Sequence, residues 1–97
     1  MFSWFNAKAA KQFGNELAKM VMQQLPLDNK LNARKLESKR EFIIKKMISE
    51  IANFRQREKL NFYKTAQIGN TFRWSLKEAG YDNEFIETLT GFLVTHL

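Results

Sequence analysis

The stretch from Asn61 to Leu97 constrains this chain most, because it carries two helix starts and a helix stop in fixed order. Asn61 can accept the first free amide hydrogens of a helix beginning at Phe62. At about 100° per residue, Ile68, Phe72, Leu76 and Ala79 fall on one stripe, the spacing of a buried face. Gly69 lies at the edge of that stripe. A glycine costs about 1 kcal/mol against alanine inside a helix, so its position predicts close approach by another backbone, with a local kink as the plain alternative. Gly80 then ends the helix at Ala79, since glycine takes a left-handed conformation without a Cβ clash. Asp82 caps the next helix, with Tyr81 and Ile86 spaced as a hydrophobic staple and Glu84 near the positive end of the helix dipole. Phe85, Ile86, Leu89, Phe92, Leu93 and Leu97 form its apolar stripe.

Helix, glycine turn and helix invite comparison with a DNA-reading helix-turn-helix. The charges oppose it. The outer face of the last helix presents Asn83, Glu84, Glu87, Thr88, Thr90 and Thr95, with no cation to meet phosphate. The corner therefore reads as a packing unit.

Upstream, Ser3 caps a helix predicted from Trp4 to Leu25, stopped by Pro26, with Ala10, Phe13, Leu17, Met20, Val21 and Gln24 on one face. Residues 26–30 form a connector containing Asp28 and Asn29. A long second helix is predicted from Asn32 to Lys59, burying Leu36, Ile43, Ile44, Met47, Ile51 and Phe54. It would be ~42 Å long, longer than a domain with a radius of gyration of about 12 to 13 Å is wide. Its first turns must fray or be covered. Hydrophobic residues make up 44% of the 97 residues and include nine Phe, which suffices for one core. No segment alternates as a strand between hairpin turns. The expectation is a single all-α domain, residues 1–97: a compact four-helix bundle with a long second helix and a helix-turn-helix-like corner.

Chemistry has few candidates. Cysteine is absent, which removes disulfides, thiolate catalysis and cysteine-based zinc sites. His96 is the only histidine; it is penultimate and lacks a Glu-x-x-His partner because position 93 is Leu. Glu78, Asp82, Glu84 and Glu87 have neither zinc nor calcium-loop spacing. The four glycines build no phosphate loop. No metal, no cofactor and no enzymatic activity is expected. The longest apolar runs, Phe42-Ile43-Ile44 and Phe92-Leu93-Val94, are far short of a membrane span, and the first residues lack a secretory core, so a cytoplasmic protein is expected.

Binding has more. Residues 27–64 carry eleven basic and five acidic side chains, whereas residues 65–97 carry two and four, within a net charge of +6. On the second helix Lys35, Lys39, Lys46 and Arg57 cluster within about 40° of the wheel. That stripe suits nucleic-acid phosphates or acidic proteins; otherwise it is a solvated face helped by a Glu41–Lys45 pair. Phe42 sits unexpectedly near its basic side, which suggests a second contact surface or a local departure from the helix. On the third helix, opposite the buried stripe, Tyr63, Gln67, Asn70 and Trp74 are flanked by Arg73 and Lys77, a composition that suits a protein hot spot or a base-stacking platform. The plain reading is that the N-terminal aromatics or the second helix cover Tyr63 and Trp74. Phe2, Trp4 and Phe5 with Lys8 and Lys11 form a third and weaker candidate, an interfacial foot for an anionic membrane.

The segments Asn61-Phe62-Tyr63-Lys64, Gly69-Asn70-Thr71-Phe72-Arg73-Trp74 and Leu76-Lys77-Glu78-Ala79-Gly80-Tyr81 resemble the C-terminal part of short uncharacterised bacterial proteins. The resemblance covers about a third of the chain and implies no activity, ligand or binding residue. The leading expectation is a non-catalytic protein-interaction module or small homo-oligomer using Tyr63, Gln67, Asn70, Arg73, Trp74 and Lys77; the alternative is nucleic-acid binding through Lys35, Lys39, Lys46 and Arg57.

Overall fold

The structure, a computed structural model, describes residues 7–27 and 33–97. Among these residues it is an all-α domain of four helices: α1 (Lys8–Gln24), α2 (Ala33–Arg57), α3 (Phe62–Glu78) and α4 (Asn83–His96). α3 lies between α1 and α4, while α2 rests on α1 and α4 across from it, so the cyclic order around the core is α1, α3, α4, α2. The core draws on every helix, with Val21, Met47, Phe72, Leu76, Ile86 and Leu93 buried at its centre. The Phe13 ring stacks on Phe54 with centroids 4.2 Å apart, fastening α1 to α2.

The C-terminal corner forms as its residues dictate. Asn61 Oδ1 accepts from the Lys64 amide at 2.8 Å, and Asp82 Oδ2 accepts from the Phe85 amide at 3.1 Å. Between them Gly80 has φ +95, the Tyr81 amide donates to Leu76 O and the Gly80 amide to Lys77 O. Those two bonds are a complete Schellman stop. The Tyr81 ring lies against Phe85, centroids 5.9 Å apart, and its hydroxyl donates to Leu25 O at 2.8 Å, joining the corner to the end of α1. The aromatic contact at this start is thus with the third helical residue, whereas the expected staple mate Ile86 is wholly buried in the core.

Other boundaries differ. Among the described residues α1 begins at Lys8, with Ala7 outside the helix at φ −98, ψ 14 and its methyl group unable to cap it; the expected start at Trp4 lies outside the described residues. The expected cap Ser3 and the rings of Phe2, Trp4 and Phe5 lie outside the described residues, as do Asp28 and Asn29 of the connector. Leu25, pushed extended by Pro26, closes α1 one residue early. α2 spans 25 residues, ~37 Å. With principal extents of 50 × 24 × 18 Å, the molecule accommodates that length only along its long dimension, and its radius of gyration of 13.7 Å exceeds the expected value accordingly. Ile43, Met47, Ile51 and Phe54 are buried, Ile44 is only half-buried, and of residues 34–42 none is fully buried. The core therefore grips the C-terminal part of α2. Thr90, assigned by periodicity to the outer face of α4, is buried instead.

Glycine positions mark how closely the helices pack. Gly14 sits where α1 crosses α3: a Cβ there would lie 2.6 Å from Ile68 O and 3.1 Å from Thr71 Cβ. Next to this crossing Ser75 Oγ donates to Asn15 Oδ1 at 3.1 Å. The backbone approach expected at Gly69 occurs at Gly14; Gly69 faces the Val94 side chain, whose Cγ2 would be 3.0 Å from an added Cβ.

Candidate interaction surfaces

Two surfaces carry the sequence candidates, and the fold sorts each. On α3, Asn70, Trp74 and Lys77 are exposed, with Trp74 at 62%. Tyr63 and Gln67 are half-buried, and Tyr63 packs on the edge of the core. Arg73 turns toward α4, where its Nε lies 3.3 Å from Glu87 Oε2. Neither this Nε nor the nearby-in-sequence Thr90 hydroxyl on α4 makes a hydrogen bond, so Arg73 and Glu87 meet as charges alone. Periodicity could not anticipate this, because the pairing depends on how α4 lies against α3.

The surface also includes a residue that sequence reasoning used only as a helix start. Phe62 is 89% exposed. It begins an i+4 ridge, Phe62, Ala66, Asn70 and Trp74, every member exposed, with a ring at each end and small side chains between. The rings are twelve residues apart, so ~18 Å along the axis. The signal was present in the spacing but was hidden by treating Phe62 as a terminus. Behind this ridge, Lys64 is only 8% exposed and its Nζ donates to Lys59 O at 3.4 Å, the stem packed beneath the α2–α3 turn.

On α2 the four cations separate. Lys35, Lys46 and Arg57 are exposed and Lys39 is half-buried. Arg57 stands at the far end, its guanidinium over the Phe54 ring at 5.6 Å from the centroid. Phe42, 49% exposed, lies among the others. With Gln24, Lys35, Ser38 and Lys39 it lines a shallow depression of about 400 Å³ at the end of α1. Glu41 and Lys45 do not form the expected pair; both project into solvent. On the neighbouring face Arg40 lies over the Phe85 ring at 6.0 Å, pinning α2 to the start of α4.

His96 is exposed in the last turn of α4. Its ring stacks on Phe92 at 4.2 Å, and its Nδ1 is 2.9 Å from Phe92 O, a carbonyl that only accepts, so the proton resides on Nδ1. Among the described residues no cluster of three His, Cys, Asp or Glu side chains is placed to hold a metal, and no helix is long and apolar enough to cross a membrane. Lys8 and Lys11 are exposed on α1, whereas the rings expected beside them lie outside the described residues. Comparisons with protein-family models, curated proteins and solved structures each find no match.

Proposed function

We propose that the protein is a non-catalytic interaction module that self-associates through the outer ridge of α3. The observation that carries this reading is the exposure of Trp74 and Phe62 at the two ends of one ridge. Large rings exposed together on a helix mark contact surfaces, and Trp is among the residues over-represented where binding energy concentrates. The ridge is also suited to pairing with itself. Two i+4 ridges lie side by side when helices cross near −50°, and a twofold axis between Ala66 and Asn70 would set Trp74 of each copy beside Phe62 of the other. The small central side chains allow the axes to approach. Asn70 would then lie beside the axis and Lys77 at the polar rim, with Gln67 and Tyr63 bordering the contact.

Light-scattering mass over a range of protein concentrations tests the proposal. A rise from monomer to dimer is expected. Trp74→Ala and Phe62→Ala should each weaken the dimer by at least about tenfold, equivalent to ~1.4 kcal/mol. Because the two rings belong to one contact, the double substitution should cost less than the sum of the single ones. A mass that stays monomeric at every concentration overturns the reading.

A further inference from the structure

We propose that the stretch of α2 from Lys39 to Lys46 is a second binding site, for single-stranded nucleic acid, in which Phe42 stacks a base and Lys39 and Lys46 meet the flanking phosphates. This site is on a different helix from the α3 ridge and does not depend on it.

Three observations converge. Phe42 exposes about half its surface although the core lies only about 100° away on the same helix at Ile43, so its ring is presented to solvent rather than left over from packing. Lys39 and Lys46 stand one turn before and one turn after it, ~4.5 and ~6 Å along the axis and within about 60° of it on the wheel. Among the described residues the depression beside the ring is lined by Gln24, Ser38, Lys35 and Lys39, with no carboxylate in that set. On the wheel of α2, Glu37 and Glu41 fall about 100° or more away from Phe42, and Glu50, the acid of this helix nearest to the row in angle, stands a full turn beyond Lys46. A face that combines a solvent-facing ring, bracketing cations and amide or hydroxyl groups at the rim has the parts of a stacking platform on an electrostatic track.

The occupant follows from what each part can use. In a duplex the base faces are already stacked, so the exposed face of Phe42 would find no partner. A membrane surface needs a broad apolar face, whereas this one offers a single ring between Ser38 and charged neighbours. An unpaired strand uses both the ring and the cations. Arg57, eleven residues beyond Lys46 and ~16 Å further along α2, is outside the site.

Fluorescence anisotropy with a labelled oligothymidylate of about twelve nucleotides tests this, with a duplex of equal length and vesicles of phosphatidylcholine and phosphatidylserine as competitors. The single strand is expected to bind, with log K falling against log salt at a slope near −1.4 for two neutralised phosphates. Phe42→Ala should weaken binding by about five- to a hundredfold, while Phe42→Trp keeps it. The Lys39→Glu, Lys46→Glu pair should abolish binding at salt above about 100 mM. These side chains lie outside the core, and an unchanged melting temperature verifies that each variant is folded. Absence of binding at low salt, equal affinity of wild type and Phe42→Ala, or preference for the duplex or the vesicles would each overturn the proposal.

Discussion

At Gly14 a single hydrogen atom decides how α1 meets α3. An added methyl would sit 2.6 Å from a backbone carbonyl oxygen and 3.3 Å from the Phe72 amide nitrogen, and neither belongs to a side chain that can swing away. Gly14→Ala gains about 1 kcal/mol of helix propensity but incurs an overpacking cost of roughly 1–3 kcal/mol, and backbone contact favours the upper end. The expected net loss is about 1–2 kcal/mol, seen as a melting temperature lower by roughly 4 to 16 °C. Gly91 makes the opposite case. A Cβ there meets nothing within 4 Å. Gly91→Ala should therefore stabilise by about 0.5–1 kcal/mol. Thermal melts of the two variants measured side by side check both signs; a Gly14→Ala protein as stable as wild type would mean that α1 and α3 are further apart than described. Neither position was distinctive in sequence, because the environment of a glycine is set by a neighbour distant in the chain. The same holds for Lys64, whose charge suggests a surface position but whose long stem lets the residue be covered while the ammonium reaches Lys59 O.

Among the elements, those with local signals were legible and those whose surroundings are tertiary were not. Asn61, Gly80 and Asp82 act within four residues of themselves, so the start of α3, its stop and the start of α4 follow directly from residue chemistry. Asp82 is the most exposed to test. Its carboxylate satisfies the Phe85 amide, and Glu84 adds a second negative charge to the same helix end. Asp82→Ala should cost about 1 kcal/mol in urea denaturation, whereas Asp82→Asn, which retains the accepting oxygen, should cost a few tenths. Equal losses for both would assign the effect to charge rather than to the cap. Most of each apolar face was also readable from period alone, as at Ile43, Met47, Ile51 and Phe54 on α2, although Leu36 and Ile44 of the expected face are only half-buried. The direction of Arg73 was not, since on an isolated α3 it belongs with Trp74 and Lys77, and only the placement of Glu87 on α4 draws it aside. Phe62 was missed for a related reason: a residue at a helix boundary is assigned to the turn by its position, yet here it opens the ridge that ends at Trp74.

At the scale of the whole molecule, the uneven hold on α2 sets where the structure opens first. α3 is packed closely by both α1 and α4, while α2 touches only α1 and α4 and is anchored through four buried side chains between Ile43 and Phe54. Before Ile43, among the described residues, Leu36 and Lys39 are partly covered and Arg40 lies over the Phe85 ring, but no side chain of residues 34–42 is fully buried. Local stability follows such burial, since a turn whose side chains contact little can open without disturbing the core. Amides of residues 38–42 should consequently exchange with solvent at least about ten times faster than those of residues 47–54, a gap of about 1.4 kcal/mol. Hydrogen exchange followed amide by amide measures this, and uniform protection along α2 would contradict it. The slow and fast portions meet at Phe42, so an occupant bridging Lys39 and Lys46 across that ring would tie the loosely held turns to the anchored ones. Slowed exchange over residues 38–42 in the presence of oligothymidylate, without change over residues 64–76, would locate the bound strand on α2 and separate its effect from self-association through α3.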